Sequence, residues 1–368
     1  MKVVNNLTLL IIILFYLFAG CKPNNTIIIP FDAKAKADSA FFLKWNANPN
    51  FSSGQNAFSL ALPNGKILWL FGNSHLADKV AGKVPCNFAV QNAGVIQENN
   101  IYTTLNSGNT NLIPNIGSES LQPTCAYLFV DTIFVYCKKN EWGYLSMHQS
   151  YIAKFLYPSL QYLTTDSITH FSNAIVANCQ FGLATAADSL NGYAYEYGYI
   201  PSPINGSPKI IIGRHSLDSP HKSWKYFDGV NWVDDFTKSN FIFTTVNNAQ
   251  VTSIRRCNKA YVAISQDIGI GCGKGTNIYS HYAAEPWGPF NGERKLFTIP
   301  EQYLGFSPNT IGATLQPSFV DANKKVLITY SLNGYNDCTN DCENNFTDPL
   351  HWSTYAFTVP MNAINPAW

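Results

Sequence analysis

Hydrophobic residues in this chain come in short runs, and two of them set the pattern for the rest. Residues 57–62 and 67–72 are apolar and flank Pro63-Asn64-Gly65-Lys66. Asn-Gly between two such runs is a hairpin signal, because both residues tolerate the positive φ of a tight turn. The second run, Ile67-Leu68-Trp69-Leu70-Phe71, is apolar on both faces and so predicts a strand covered on both sides. Polar residues bracket the pair, Gln55-Asn56 before it and Gly72-Asn73-Ser74-His75 after it. Buried strands with polar ends suggest a site at the mouth of a β architecture.

Later segments repeat this design. Residues 91–97 and 101–104 complete a first group of four strands. A second group begins near Glu119-Ser120-Leu121-Gln122-Pro123, a third near Asn173, a fourth at Ala249 and a fifth at Ala313. Helical periodicity is scarce. Five groups of roughly 45–65 residues, with turn signals spread evenly, predict an all-β, five-bladed β-propeller in which each blade covers its neighbour's face. A β-sandwich joined to a second β domain is the competing layout.

The first residues read differently. Lys2 and the apolar run 7–18 form a segment of signal-peptide length that ends in Leu17-Phe18-Ala19-Gly20-Cys21. This resembles a bacterial lipobox, which implies a signal peptide over 1–20, lipidation of Cys21, a tether over 21–44 and one propeller domain over 45–368. An uncleaved membrane anchor is the alternative. Either arrangement puts the globular part outside the cytoplasm, at the outer membrane, the cell surface or in the periplasm.

Composition narrows the partner. Charged residues are 13% of the chain, aromatics 14%, and the formal net charge is +1. That balance gives no electrostatic case for nucleic acid and suits a neutral polar ligand such as a sugar. Removing Cys21 leaves eight of the 9 cysteines, an even number that fits an oxidising compartment. Cys125 with Cys137 and Cys338 with Cys342 are the expected pairs; Cys257 with Cys272 is a third possibility, leaving Cys86 and Cys179. No Cys/His spacing resembles a zinc site. The stretch Asp337-Cys338-Thr339-Asn340-Asp341-Cys342-Glu343 is rich in oxygen ligands for a structural Ca²⁺, but its spacing is not that of an EF-hand loop, and a disulfide-closed loop is the preferred reading. No cofactor is indicated, and the oligomeric state is not set by the sequence.

Several motifs, in order, resemble five-bladed β-propeller glycoside hydrolases and their secreted relatives, endo-arabinanases among them. They are Trp69-Leu70-Phe71-Gly72-Asn73-Ser74, Gly192-Tyr193-Ala194-Tyr195-Glu196-Tyr197-Gly198, Ile212-Gly213-Arg214-His215, Pro286-Trp287-Gly288-Pro289-Phe290 and Thr329-Tyr330-Ser331-Leu332-Asn333. The resemblance implies a polysaccharide or oligosaccharide partner at one end of the central axis. Hydrolysis needs two carboxyl groups, one to donate a proton and one to act as base or nucleophile. Where the resemblance leads one to look for acids this chain has amides, Gln55, Asn73 and Gln250, and Gln316-Pro317 stands in place of a His-Pro pair. A carboxamide cannot do acid–base work, yet it offers the donor and acceptor that match a sugar diol.

Two functional readings therefore stand open: a glycosidase using Glu119 with an unidentified second acid, and a glycan-binding or surface-assembly propeller that has lost its carboxylates. The expected ligand-facing residues are Gln55, Asn56, Asn73, His75, Asn92, Arg214, Gln250 and Gln316. Glu196, between two tyrosines in a strand, is expected either on the outer, solvent-facing side or as an acid of raised pKa.

Overall fold

In the computed structural model the described residues are 33–46, 48–77, 79–139, 150–168, 180–200, 209–220, 222–245, 249–267, 275–335 and 339–368. Ala33–Trp368 forms one compact unit. The Asn-Gly turn forms, with Gly65 at φ +78°, and joins Phe58–Ala61 to Ile67–Phe71. Ala93–Glu98 and Ile101–Thr104 complete blade 1. Blade 2 runs outward through Leu121–Phe129, Thr132–Lys139, Ser150–Leu156 and Gln161–Ser167. Gln180–Asp188, Tyr193–Ile200, Lys209–Ser216 and Lys225–Phe227 make blade 3, with short additions at its edge. Blade 4 consists of Ala249–Cys257, Ala260–Asp267, Asn277–Ala283 and Arg294–Thr298.

Blade 5 takes Thr310–Val320, Lys325–Leu332 and Thr354–Pro360 from the end of the chain and its outer strand, Lys36–Ala37, from the beginning. This strand lies in the stretch expected to be tether. Only two residues long and exposed on both, it carries no apolar alternation to announce it. Contacts between the first strands of the blades run from blade 1 through 2, 3, 4 and 5 and back to 1, so the ring is closed.

The core divides as the ring requires. Leu68 and Leu70 of blade 1 pack with Ile133 and Val135 of blade 2. Tyr136 of blade 2 meets Phe181 and Ile211 of blade 3. Tyr195 and Tyr197 of blade 3 meet Val251 and Tyr261 of blade 4, and Val262 and Ile264 of blade 4 meet Leu315 and Ile328 of blade 5. Trp69 and Phe71, on the other face of the blade 1 strand, close the circle against Leu327 and Ala356 of blade 5. The helix Phe41–Asn46 seals this last seam, because Phe41 and Trp45, one turn apart, share a face. Trp45 packs edge-on to both Trp69 and Phe71 with ring centroids 5.2 Å apart. Fully burying a large side chain contributes about 2–3 kcal/mol, which offsets part of the cost of ordering this N-terminal segment.

The cysteine pairing departs from expectation. Cys86 bonds to Cys342, 256 residues away, joining a blade 1 loop to a blade 5 loop. Cys125 and Cys137 are free and buried. Cys125 sits opposite Tyr136, and a register shift at Tyr136/Cys137 puts Cys137 opposite Pro123, so the two thiols point into different cores. Cys257 is also free and buried. Cys21, Cys179, Cys272 and Cys338 lie outside the described residues, as do Asn173 and His148.

Candidate functional site

Every blade is an antiparallel meander whose first strand starts at the same end of the axis. Loops between second and third strands, and crossings from one blade to the next, return to that end. It is where the polar brackets of the founding hairpin lie. Ser53–Gly54 pairs with Ser74–His75 there, and the Gln55 amide N–H donates to the Asn73 carbonyl at 3.0 Å. A Cβ on Gly54 would come within 2.7 Å of Ser74 Oγ and 2.8 Å of Phe51, so this position takes glycine because backbone and side chain approach closely.

Four carboxamides then form a line across three blades. Gln122 Nε2 of blade 2 donates to Asn73 Oδ1 at 3.0 Å. Asn73 Nδ2 lies 3.5 Å from Gln55 Oε1, both in blade 1, and Gln55 Nε2 donates to Asn333 Oδ1 of blade 5 at 2.7 Å. Gln55 and Gln122 are buried, whereas Asn73 stays partly exposed. Two buried amides therefore hold a third at the surface. Asn56 joins them with a positive φ of 53°, its N–H donating to Ser331 Oγ at 2.9 Å. Gln250 opens the first strand of blade 4 opposite Gln266 and is also partly exposed.

Other expected ligand contacts are committed elsewhere. Asn92 is fully buried, donating to the Ile113 and Leu121 carbonyls at 3.0 and 2.8 Å and accepting from the Ile113 N–H at 2.7 Å, which fixes the crossing to blade 2. Gln316 is fully buried at the blade 5–blade 1 seam. It accepts from the Ser59 N–H and hydroxyl and donates to the Ala57 carbonyl and Thr329 Oγ1. His75 is buried against Phe88, ring centroids 4.8 Å apart. Arg214 lies on the third strand of blade 3, two strands out from the axis, sandwiched between the Tyr193 and Trp232 rings at 4.4 and 4.3 Å. Glu119 is half-buried in a turn whose backbone bonds to Ile116.

Glu196 is neither solvent-facing nor open to a ligand. It is fully buried between blades 2 and 3, where Thr185 Oγ1 donates to its Oε2 at 2.7 Å and His215 Nε2 lies 3.3 Å from its Oε1. His215 Nδ1 donates to the Ser216 carbonyl at 2.7 Å, and the Tyr136 hydroxyl meets Nε2 at 2.7 Å. Burial, then the Glu196 charge, pushes the Tyr136 phenol well above its ordinary range, so it remains a donor. A carboxylate with no exposed surface cannot reach a glycosidic bond; this one stitches two blades. Arg255 does similar work across the axis, its Nη2 donating to the Ser59 carbonyl at 2.7 Å.

Among the described residues no group of three or more His, Cys, Asp or Glu is placed to hold a metal ion. Asp341, from the stretch considered for Ca²⁺, instead accepts from the Tyr335 N–H at 3.0 Å beside His351. Sequence reading missed Gln122 and Asn333. Gln122 could have been found by aligning the first strand of each blade, since it stands where Gln55-Asn56 and Gln250 stand; Asn333 has no such signal, because it ends a second strand.

Solved structures share this fold. A provisionally named hydrolase from Bacteroides ovatus superposes with a TM-score of 0.65 at 16% identity, over 91% of this chain and 97% of that chain. An exo-1,5-alpha-L-arabinanase from a bovine ruminal metagenomic library superposes with a TM-score of 0.50 at 9% identity, over 84% of this chain and 94% of that one. The five-bladed propeller suggested by the motifs is thus the fold observed, and it is shared with these two proteins. No curated protein matches the chain in sequence. The family model described as a domain of unknown function, DUF5005, matches residues 38–356, and the chain belongs to that family.

Proposed function

We propose that this propeller binds a neutral polysaccharide or oligosaccharide at the end of the axis where the blades' first strands begin. The reading rests on the line Gln122–Asn73–Gln55–Asn333, which spans three blades and contains no carboxyl group. Amides fixed by other amides present donors and acceptors at set positions, which suits the hydroxyls of a sugar ring and limits the entropy lost on binding. The arabinanase fold likeness makes a glycan the natural ligand class, as an analogy of fold only. We place the protein outside the cytoplasm, tethered through lipidated Cys21; the apolar run 7–18 and the Cys86–Cys342 disulfide support this.

A glycan array probed with the purified protein tests the proposal, followed by the same assay on Asn73→Ala and Gln250→Ala. Binding of neutral glycans that falls about tenfold in either variant, without release of reducing ends, is the expected result. Array silence would sink it. Hydrolysis is the second reading, favoured by Asp267 at the same end of blade 4, whose Oδ2 accepts from Asn277 at 2.7 Å while its buried Oδ1 has no hydrogen-bond partner among the described residues. Reducing ends released by the parent and lost in Asp267→Asn would establish it.

A further inference from the structure

At the opposite end of the strands, blades 4 and 5 leave a cavity of about 520 Å³. It lies between the turn after Cys257 and the turn before Lys325, and its volume is in the range of small-ligand sites. Arg256 and Lys324 line it, with Trp368, Met361, Pro317 and Val320 as an apolar wall. No acidic side chain does.

Neither cation meets a carboxylate within the cavity lining. Arg256 pairs at 3.9 Å with Asp188, which lies outside that lining, and the arginine side chain is 39% exposed. The Asp188 carboxylate already accepts from the backbone N–H groups of Leu190 and Asn191 and from Asn191 Nδ2. Asp188 is buried, but the pair is long and its carboxylate is already satisfied by those three donors, so the partly exposed guanidinium stays open to a second partner. Lys324 forms no ion pair within 4 Å among the described residues. Like charges sharing a cavity repel one another, and a bound anion relieves both. The wall adds a second demand, since Trp368 packs against the blade 4–5 core at its edge and Val320 is 42% exposed.

A ring with an apolar face and a carboxylate meets both demands. Inorganic phosphate would use only the cations, and a neutral sugar only the wall. We infer that this cavity is a binding site for a hexuronate, a carboxylated sugar, separate from the amide line and independent of the reading given to it.

The test titrates the full-length protein calorimetrically with digalacturonate, with neutral galactobiose and with inorganic phosphate. Digalacturonate binds, its affinity falls with added salt, and the other two bind at least about tenfold more weakly. Arg256→Gln and Lys324→Gln each reduce digalacturonate affinity about fivefold or more per folded molecule, Lys324→Gln at an unchanged melting temperature, whereas Asn73→Ala, impaired at the amide end, retains it. Equal affinity for galactobiose or phosphate, or full affinity in both cavity variants, overturns the assignment. So does affinity lost in Asn73→Ala alone, which moves the uronate to the other end. Failure of neutral-glycan binding would leave this result standing.

Discussion

Gln316 shows how a residue read as a ligand contact can be a fastener. All of its side-chain hydrogen-bonding groups are engaged across the blade 5–blade 1 seam. Leucine has a similar volume but would leave the buried Ser59 N–H without its acceptor. Gln316→Leu is expected to cost about 3 kcal/mol in denaturant unfolding, with glycan binding retained per folded molecule. Glu301 makes a second residue-scale case. Burial raises its carboxyl above the ordinary 4.5, opposed by the Tyr330 hydroxyl, which lies 2.9 Å from both oxygens. With the folded pKa raised, the native state keeps a proton that the unfolded chain has released. The stabilisation is therefore complete below the unfolded pKa and is lost as pH rises through the folded one. Glu301→Gln removes that titration, and its melting temperature should fall less steeply than the parent's between about pH 4 and about pH 7.

Among the elements, the positive-φ bulge at Gly312, in the first strand of blade 5, bears most directly on the amide end. Its φ is +68°, and a Cβ there would collide with the side-chain oxygen of Asn56. Gly312→Ala should displace Asn56, destabilise the fold by at least about 1 kcal/mol and weaken glycan binding, as chemical denaturation and the array would read. Local elements such as the Asn64-Gly65 hairpin were legible because turn chemistry and apolar alternation agree within a few residues. Lys36–Ala37 was not, since its strand character comes entirely from pairing with Thr354–Pro360. The Cys125–Cys137 pairing failed for a similar reason. Spacing about a turn is visible in sequence, but a one-residue register shift decides which face each thiol occupies. Gln55 and Asn73 could be nominated from their place beside a strand, whereas their partners Gln122 and Asn333 come from other blades and become neighbours only once the ring closes.

For the molecule as a whole, the blade 5–blade 1 closure is held by Lys36–Ala37, the Gln316 bonds, the Trp45 cluster and Cys86–Cys342. The double variant Cys86→Ser, Cys342→Ser is expected to lose about 2–5 kcal/mol of unfolding free energy, and a reducing agent should lower the parent's melting temperature without affecting the variant's. The free cysteines Cys125, Cys137 and Cys257 should resist iodoacetamide in the native state near neutral pH and react after unfolding. Burial pushes the Cys257 thiol up to about 11 and raises Cys125 and Cys137 further.

The distance in sequence between Cys86 and its partner governs how the protein is assembled. A ribosome releases Cys86 long before Cys342, and six other cysteines, Cys125, Cys137, Cys179, Cys257, Cys272 and Cys338, emerge in the interval. During that wait the nascent chain offers six wrong thiols and no right one, and sheets that bury Cys125, Cys137 and Cys257 as they form take three of them out of competition. A cell lacking a disulfide-shuffling catalyst should accumulate isomers bonded from Cys86 to one of these six, visible as altered mobility on non-reducing gels.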